Sequence, residues 1–427
     1  MKTLKIVAAV GGAVSLALCW PLAVGQIGQN VITDGLKHIS SDEISAELIS
    51  YDRGYLSSHV QTRFSVTSPV VKQQMMAEGL PTEVIVNSDI RHGLVGISAL
   101  STFPDYQDSP LVISSTTQLN GNTSFSSTLD NWHYQTEGSD SVAISIFSSK
   151  VDGTITTLGH VDFNVSIPSV ALNFASGENM LLSDLTGQGS GKQDAGFWIG
   201  KQNVTIGSLT LDDGLGSTLL AMDNTSYQFA SKLNADKSRF TGTHQVNIEQ
   251  LIAQDEEVND LQLDFTLGDV DSEAFLALSN IYQSNPYLNA DDLQKAMPHI
   301  ESLFANGFFV SINPFTLTID DGEFRSNIRL NIPQGTNGVS KDPSVVLSSL
   351  TGDLEVFVSN QLVADYPVIQ QGVDELMLMD MMTQNDQGYQ LKADVKDGNA
   401  VFSNGQKVPL FALLMSAMMV RLHTLPT

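Results

Sequence analysis

Tyr51 to Val66 reads YDRGYLSSHVQTRFSV. Leu56, Val60, Phe64 and Val66 hold even positions, and Ser57, His59, Gln61, Arg63 and Ser65 hold odd ones. Side chains on a strand alternate between two faces, so this spacing gives one apolar face and one polar face. Upstream, Ile44, Ala46 and Leu48 alternate with Ser45 and Glu47. Asp52-Arg53-Gly54 therefore falls between two strands. The expectation is a three-residue hairpin loop with Gly54 in the left-handed region, where the missing Cβ removes the clash.

The device recurs along the chain. Val161, Phe163, Val165 and Ile167 alternate up to Pro168, and Val170, Leu172 and Phe174 follow in the other phase. Leu261 to Leu267 and Leu354 to Val358 are further alternating runs. Phe315, Leu317 and Ile319 lead through Asp320-Asp321-Gly322-Glu323 into a second run, Phe324 to Ile332. Tyr389 to Val395 meets Asp397-Gly398, and Asn404-Gly405 follows. Asp-Gly and Asn-Gly between alternating runs predict hairpins. Fewer segments have helical spacing. Ser272 to Gln283 puts Phe275, Leu278 and Tyr282 on one stripe. Ala290 to Asn306 does so with Leu293, Met297, Ile300 and Phe304, with Asn289 as cap, Gly307 as stop and Pro298 inside. Val368 to Thr383 and Val408 to Leu422 are apolar and Met-rich, as adaptable core filling is. Gln107 to Pro110, Leu119 to Ser127, Gly187 to Asp194 and Gln334 to Pro343 read as loops. The predicted class is α+β, mainly antiparallel β: a long curved meander-type sheet with a few amphipathic helices packed on it.

The chain has 427 residues and is 42% hydrophobic, as a folded chain is. Against 47 acidic residues stand 21 Lys and Arg, a formal charge of −26. Such a surface repels phosphate backbones, so nucleic acid is excluded as a partner. The single cysteine, Cys19, rules out an intrachain disulfide and a cysteine-based metal cluster. Lys2 and Lys5 precede the uncharged run Ile6 to Val24. That order is an export signal, and nineteen residues just span a hydrocarbon core. The lysines stay inside and the chain after Gly25 goes out. Two outcomes are open: cleavage at Ala23-Val24-Gly25, or retention as an anchor with Trp20 near the interface. Residues 1–30 are thus read as signal or membrane anchor, and 31–427 as a β-rich region outside the inner membrane.

Catalytic motifs fail on inspection. Gly187-Gln188-Gly189-Ser190-Gly191-Lys192 lacks the first glycine and the final Ser or Thr of a phosphate loop, where Thr186 and Gln193 stand. It reads as a turn. No Gly-x-Ser-x-Gly elbow exists. Eight histidines are scattered, and no two have the i, i+4 spacing of a helical zinc site. Asp269 to Glu273 opens like a calcium loop, but Ala274 and Asn280 stand where glycine and glutamate are needed. Helix capping explains these acids better. No catalytic residue, metal site or cofactor is expected.

Tyr51-Asp52-Arg53-Gly54 with Ser57-Ser58, after an N-terminal apolar segment, resembles the YdgA-like family of bacterial envelope proteins, a domain of unknown function. Arg91-His92-Gly93, Asp271-Ser272-Glu273-Ala274-Phe275 and Asn404-Gly405-Gln406-Lys407 match its further motifs in order. The resemblance runs from about residue 1 to 422. One departure is Leu94, where the family often has proline. The family motif here is Tyr51, Arg53, Gly54, Ser57, Ser58, His92 and Gly93. The resemblance implies a β-rich protein, anchored in the inner membrane or free in the periplasm, and no reaction.

Arg53, His59 and His92 form a polar site if the strands bring them together. Otherwise Arg53 is a hairpin tip and His59 lies on a wet face, which is the reading the alternation favours. The functional expectation is a non-enzymatic, anchored periplasmic scaffold that binds another envelope protein. The alternative is a carrier of lipid or another hydrophobic ligand on the apolar face of the sheet.

Overall fold

The computed structural model describes residues 44–413, apart from 54–56, 78–80, 93–95, 105–109, 119, 137–140, 254–255 and 286–287. The expected signal or anchor lies outside the described residues. Among the described residues no helix is long and apolar enough to cross a membrane. The described ladders are all antiparallel and the helices few, so the class is as expected. The chain divides into two compact units: 1–192 with 202–221, and 193–201 with 222–427.

In the first unit, a meander runs through β1 (Ile44–Arg53), β2 (Ser57–Val66), β3 (Glu83–His92), β4 (Gly96–Thr102), β5 (Leu111–Gln118) and β6 (Thr123–Leu129). The ladder then passes from β6 to β9 (Ser149–Ile155), β10 (His160–Phe174) and β11 (Asn179–Asp194). Period two governs its burial. In β2, Ser58, Val60, Thr62, Phe64 and Val66 are buried and the residues between them are not. Small hydroxyls share the buried face with larger side chains, and some satisfy each other across strands. Thr117 and Thr123 are 2.8 Å apart, and Ser88 and Ser101 are 2.7 Å apart. Helix α1 (Pro69–Ala77) buries Met75.

β7 (Trp132–Gln135) pairs with β8 (Val142–Ile146), and β8 and β9 lie end to end along one edge of β10. Pro168 sits opposite the gap between them, and it has no N–H to give to a ladder. There Phe147 N donates to Ser169 O at 3.0 Å, and Ser148 N donates to Asn131 Oδ1 at 2.8 Å.

Three sequence expectations need correction. Gly187 to Lys192 is no turn: it lies inside β11, paired with Val165 to His160. A Cβ on Gly189 would come within 2.4 Å of the Phe163 ring, so this glycine makes room for an aromatic on the neighbouring strand. The stretch Leu119 to Ser127 becomes strand from Thr123 onward. Asp52 and Arg53 belong to the ladder, opposite His59 and Ser58, so the strand runs on through them.

The second unit is built on longer strands. β12 (Phe197–Asp212) and β13 (Thr218–Leu233) contribute residues to both units. β14 (Arg239–Ala253), β15 (Glu256–Asp271), β16 (Phe308–Ile319), β17 (Gly322–Ile332) and β18 (Thr351–Ser359) form a meander that continues to β20 (Gly388–Lys396). β19 (Met382–Gln384) and β21 (Asn399–Phe402) also pair with β20, and β22 (Lys407–Pro409) pairs with β21. The turns expected at Asp320-Asp321, Asp397-Gly398 and Asn404-Gly405 join β16 to β17, β20 to β21 and β21 to β22. Asn224, Asp260 and Asp269 sit inside strands at φ of 44°, 51° and 57°. Short polar side chains tolerate that region, and such residues mark bulges. The β14–β15 register shifts beside Asp269, whose N–H donates to Thr241 Oγ1 at 3.1 Å.

Helices α2 (Ser272–Ser284) and α3 (Ala290–Asn306) follow β15. Asp271 caps α2 by accepting from Ala274 N, and Asn289 with Asp292 forms a capping box on α3. Gly307 ends α3 at φ 69°. Phe275 of α2 stacks on Phe197 and Phe240. After α4 (Ser344–Ser349), a tight core forms where α5 (Asn360–Asp365) and α6 (Pro367–Leu378) meet the sheet. It contains Leu362, Val373, Met381, Met382, Leu391 and Phe402. Two of its methionines are core filling, as expected, whereas Met379 is exposed. α6 stops at Leu378, and Met382 already belongs to β19, so the predicted helix is shorter than its apolar run. Beyond Leu413 the second Met-rich run lies outside the described residues.

Leu362 is 1% exposed and touches Gly322, whereas Leu378 is 87% exposed. Leu362→Ala is expected to destabilise the second unit by about 2–5 kcal/mol. Leu378→Ala is expected to change it by less than about 0.5 kcal/mol. Urea unfolding of the two variants checks the contrast.

Candidate functional site

The pairings bring the described residues of the family motif to one end of β1 to β4. Tyr51, Asp52 and Arg53 face Val60, His59 and Ser58 across one ladder. Ser57, Ser58 and His59 face Arg91, Ile90 and Asp89 across the next, and His92 pairs with Ile97. Gly54, Gly93 and the side chains of Arg53 and His92 lie outside the described residues. Ser58 is fully buried, with Oγ 3.4 Å from Tyr51 Oη, while Ser57 is exposed. His59 is one residue on, so it points to the opposite, wet face. There its Nδ1 lies 2.5 Å from Asp89 Oδ1, with both side chains about two-thirds exposed. Water and salt screen such a pair, and it contributes little. His59 therefore does not join Tyr51 and Ser58 in one site. His133 and His160 also make exposed surface contacts, with Ser145 and Ser190. Among the described residues no group of three His, Cys, Asp or Glu side chains is placed to hold a metal ion.

A different constellation lies on the second unit. One ladder row reads His244, Phe265, Ile312, Ile328, Leu354 and Ala393 across β14, β15, β16, β17, β18 and β20. Only Ala393, in the core under α5 and α6, is buried; the other five are half-buried. The next row toward the hairpin ends, Val246, Leu263 and Phe315, is half-buried too. β16 makes the point most clearly. Its side chains alternate apolar and polar from Val310 to Ser311 to Ile312 and from Phe315 to Thr316 to Leu317, yet every residue except Asn313 is half-buried. A strand with one covered face shows alternating burial, as β2 does. On β16 no apolar side chain is fully buried.

His244 is the polar member of this apolar row. Its Nδ1 lies 2.7 Å from Tyr227 Oη, and among the described residues Tyr227 is its hydrogen-bond partner. Phe229 and Phe265 flank the imidazole, with centroids at 5.0 and 6.0 Å. Burial holds His244 below the usual histidine value of 6.5 and pushes the Tyr227 phenol above 10. Both are therefore neutral at pH 7. Thr225, in phase with Tyr227, is buried, and among the described residues its hydroxyl has no hydrogen-bond partner. The sequence reading did not single out His244. The signal was its phase: it shares the even positions with Val246 and Ile248 on the apolar side of β14.

Two outcomes follow from these geometries. His59→Ala and Asp89→Ala are each expected to shift stability by less than about 0.5 kcal/mol. For His244 the sign is different. The unfolded chain takes up a proton near pH 6.5 while the folded chain resists it, so stability falls as pH drops below 6.5. His244→Phe is expected to flatten that slope between neutral pH and about pH 5, and urea midpoints across the range measure it.

The family described as "Bacterial protein of unknown function (DUF945)" matches residues 1–411. No curated protein and no solved structure matches the chain. The match takes in the Tyr51–Ser58, Arg91–Gly93, Asp271–Phe275 and Asn404–Lys407 motifs and agrees with the YdgA-like resemblance. With nearly its whole length covered, the chain belongs to this family of bacterial proteins.

Proposed function

We propose that this protein is a non-enzymatic carrier that holds a hydrophobic ligand on the apolar face of β14 to β17, in the periplasm and tethered to the inner membrane by its N-terminal segment. The observation that carries the reading is the loss of burial alternation in β16, where chemistry alternates and exposure does not. A half-open apolar surface of this extent costs stability in water unless something occupies it. The half-buried row His244, Phe265, Ile312 and Ile328 runs across the four strands β14 to β17, which suits an elongated apolar molecule. The tether rests on Lys2 and Lys5 ahead of the uncharged run from Ile6 to Val24.

A scaffold that binds another envelope protein is the second reading. Leu215 favours it. This leucine is 91% exposed at the β12–β13 tip, and Asp213 Oδ1 stiffens the turn by accepting from the N–H groups of Leu215 and Ser217, 2.8 and 2.9 Å away. Burial against a second protein would take this side chain out of water without rearranging the turn.

The test compares the full chain with Leu263→Asp, both purified in the same mild detergent and extracted for lipid. The wild type is expected to carry lipid near one per chain, and the variant to lose most of it. Lipid around the N-terminal segment would be equal in both, so equal content contradicts the carrier reading. A Leu215→Asp variant that loses a crosslinked partner but keeps its lipid would favour the scaffold.

A further inference from the structure

The Tyr227–His244 pair determines which class of apolar molecule fits the proposed face. Both groups are neutral, so together they carry two exchangeable hydrogens, the phenol O–H and one imidazole N–H. One hydrogen makes the 2.7 Å contact between them. If the phenol donates to Nδ1, Nε2–H is left over; if Nδ1–H donates, the phenol O–H is left over. In either tautomer one donor and one acceptor remain for an outside group. The rings beside them, Phe229 and Phe265, offer no polar atom. The Thr225 hydroxyl, in the same phase of β13, is buried and has no hydrogen-bond partner among the described residues.

Resting on the carrier reading, we infer that the ligand is an uncharged amphiphile, a long apolar chain ending in a hydroxyl or carbonyl head, and that Tyr227 and His244 hold this head. A headless hydrocarbon would leave the spare donor and acceptor buried and unsatisfied, which weakens its binding. A phosphate or carboxylate head would bring a full charge onto a face where the pair offers only neutral partners. Desolvating an unpaired charge costs far more than a missed hydrogen bond. The formal charge of −26 repels such heads as well. The apolar chain then runs along the row through Phe265, Ile312 and Ile328.

The experiment uses the full chain in mild detergent and three photoreactive probes with the same acyl chain. They are a monoacylglycerol, a phosphatidylglycerol and a hydrocarbon without a head. Peptide mapping locates the labelled strand and titration gives the affinity. The wild type is expected to take the monoacylglycerol on β14 to β17 in preference to the other two. His244→Phe, which keeps the ring stack, is expected to weaken the monoacylglycerol about tenfold, the value of one hydrogen bond of about 1.4 kcal/mol. Tyr227→Phe, a milder change that removes one oxygen, is expected to weaken it severalfold. Neither variant is expected to weaken the hydrocarbon probe, and each is expected to tighten it, because each removes a polar group that this probe leaves unsatisfied. Unchanged monoacylglycerol binding by both variants, or a wild-type preference for the phosphatidylglycerol, overturns the headgroup assignment while the carrier reading stands. No labelling of these strands by any probe overturns both.

Discussion

A β-strand has two faces, and the ladder fixes which residues share each one. Everything distinctive in this chain follows from that constraint. Where something covers one face, burial alternates in step with the sequence, as in β2 and β20. Where nothing covers it closely, the chemistry still alternates but burial does not, as in β16. The hydrophobic effect acts on the uncovered face as much as on a core. It makes that face a place where an apolar molecule gains by leaving water.

The long strands demand a second device. Strands of fifteen or sixteen residues are far beyond the usual five or six. They hold their pairing by taking up left-handed Asp and Asn residues and bulges, such as Asp260 and Asp269, rather than by breaking. Pro168 shows the limit. Its partner edge splits into β8 and β9, and Asn131 supplies an acceptor for the amide of Ser148.

Much of this was legible in the sequence. Alternation marked the strands, Asp-Gly and Asn-Gly marked turns, and Asp271 and Asn289 marked the starts of α2 and α3. Gly187 to Lys192 was misread because glycines signal turns when nothing is known of the neighbouring strand. Gly189 is small because Phe163 lies beside it, and that is a tertiary fact. The hairpin after Tyr51 was placed too early for a similar reason: Asp52 and Arg53 favour turns, but the ladder with His59 and Ser58 extends through them. His244 escaped notice as one histidine among eight. Its aromatic neighbours come from other strands, Tyr227 and Phe229 from β13 and Phe265 from β15, and no local pattern announces such a grouping. His59 lies on the wet face, as the alternation implied, and parity alone separates it from Ser58, since adjacent residues of a strand point to opposite faces.

The account stands on the openness of the apolar face, and thiol labelling tests it most directly. Ile312→Cys, Leu378→Cys and Val358→Cys in a Cys19→Ser background compare the proposed face with an exposed and a buried standard. The account predicts that Ile312→Cys reacts in the folded protein well ahead of Val358→Cys, and that added monoacylglycerol slows it without slowing Leu378→Cys. A thiol at 312 as unreactive as one at 358, with or without added lipid, would mean that the face is closed and would contradict the account.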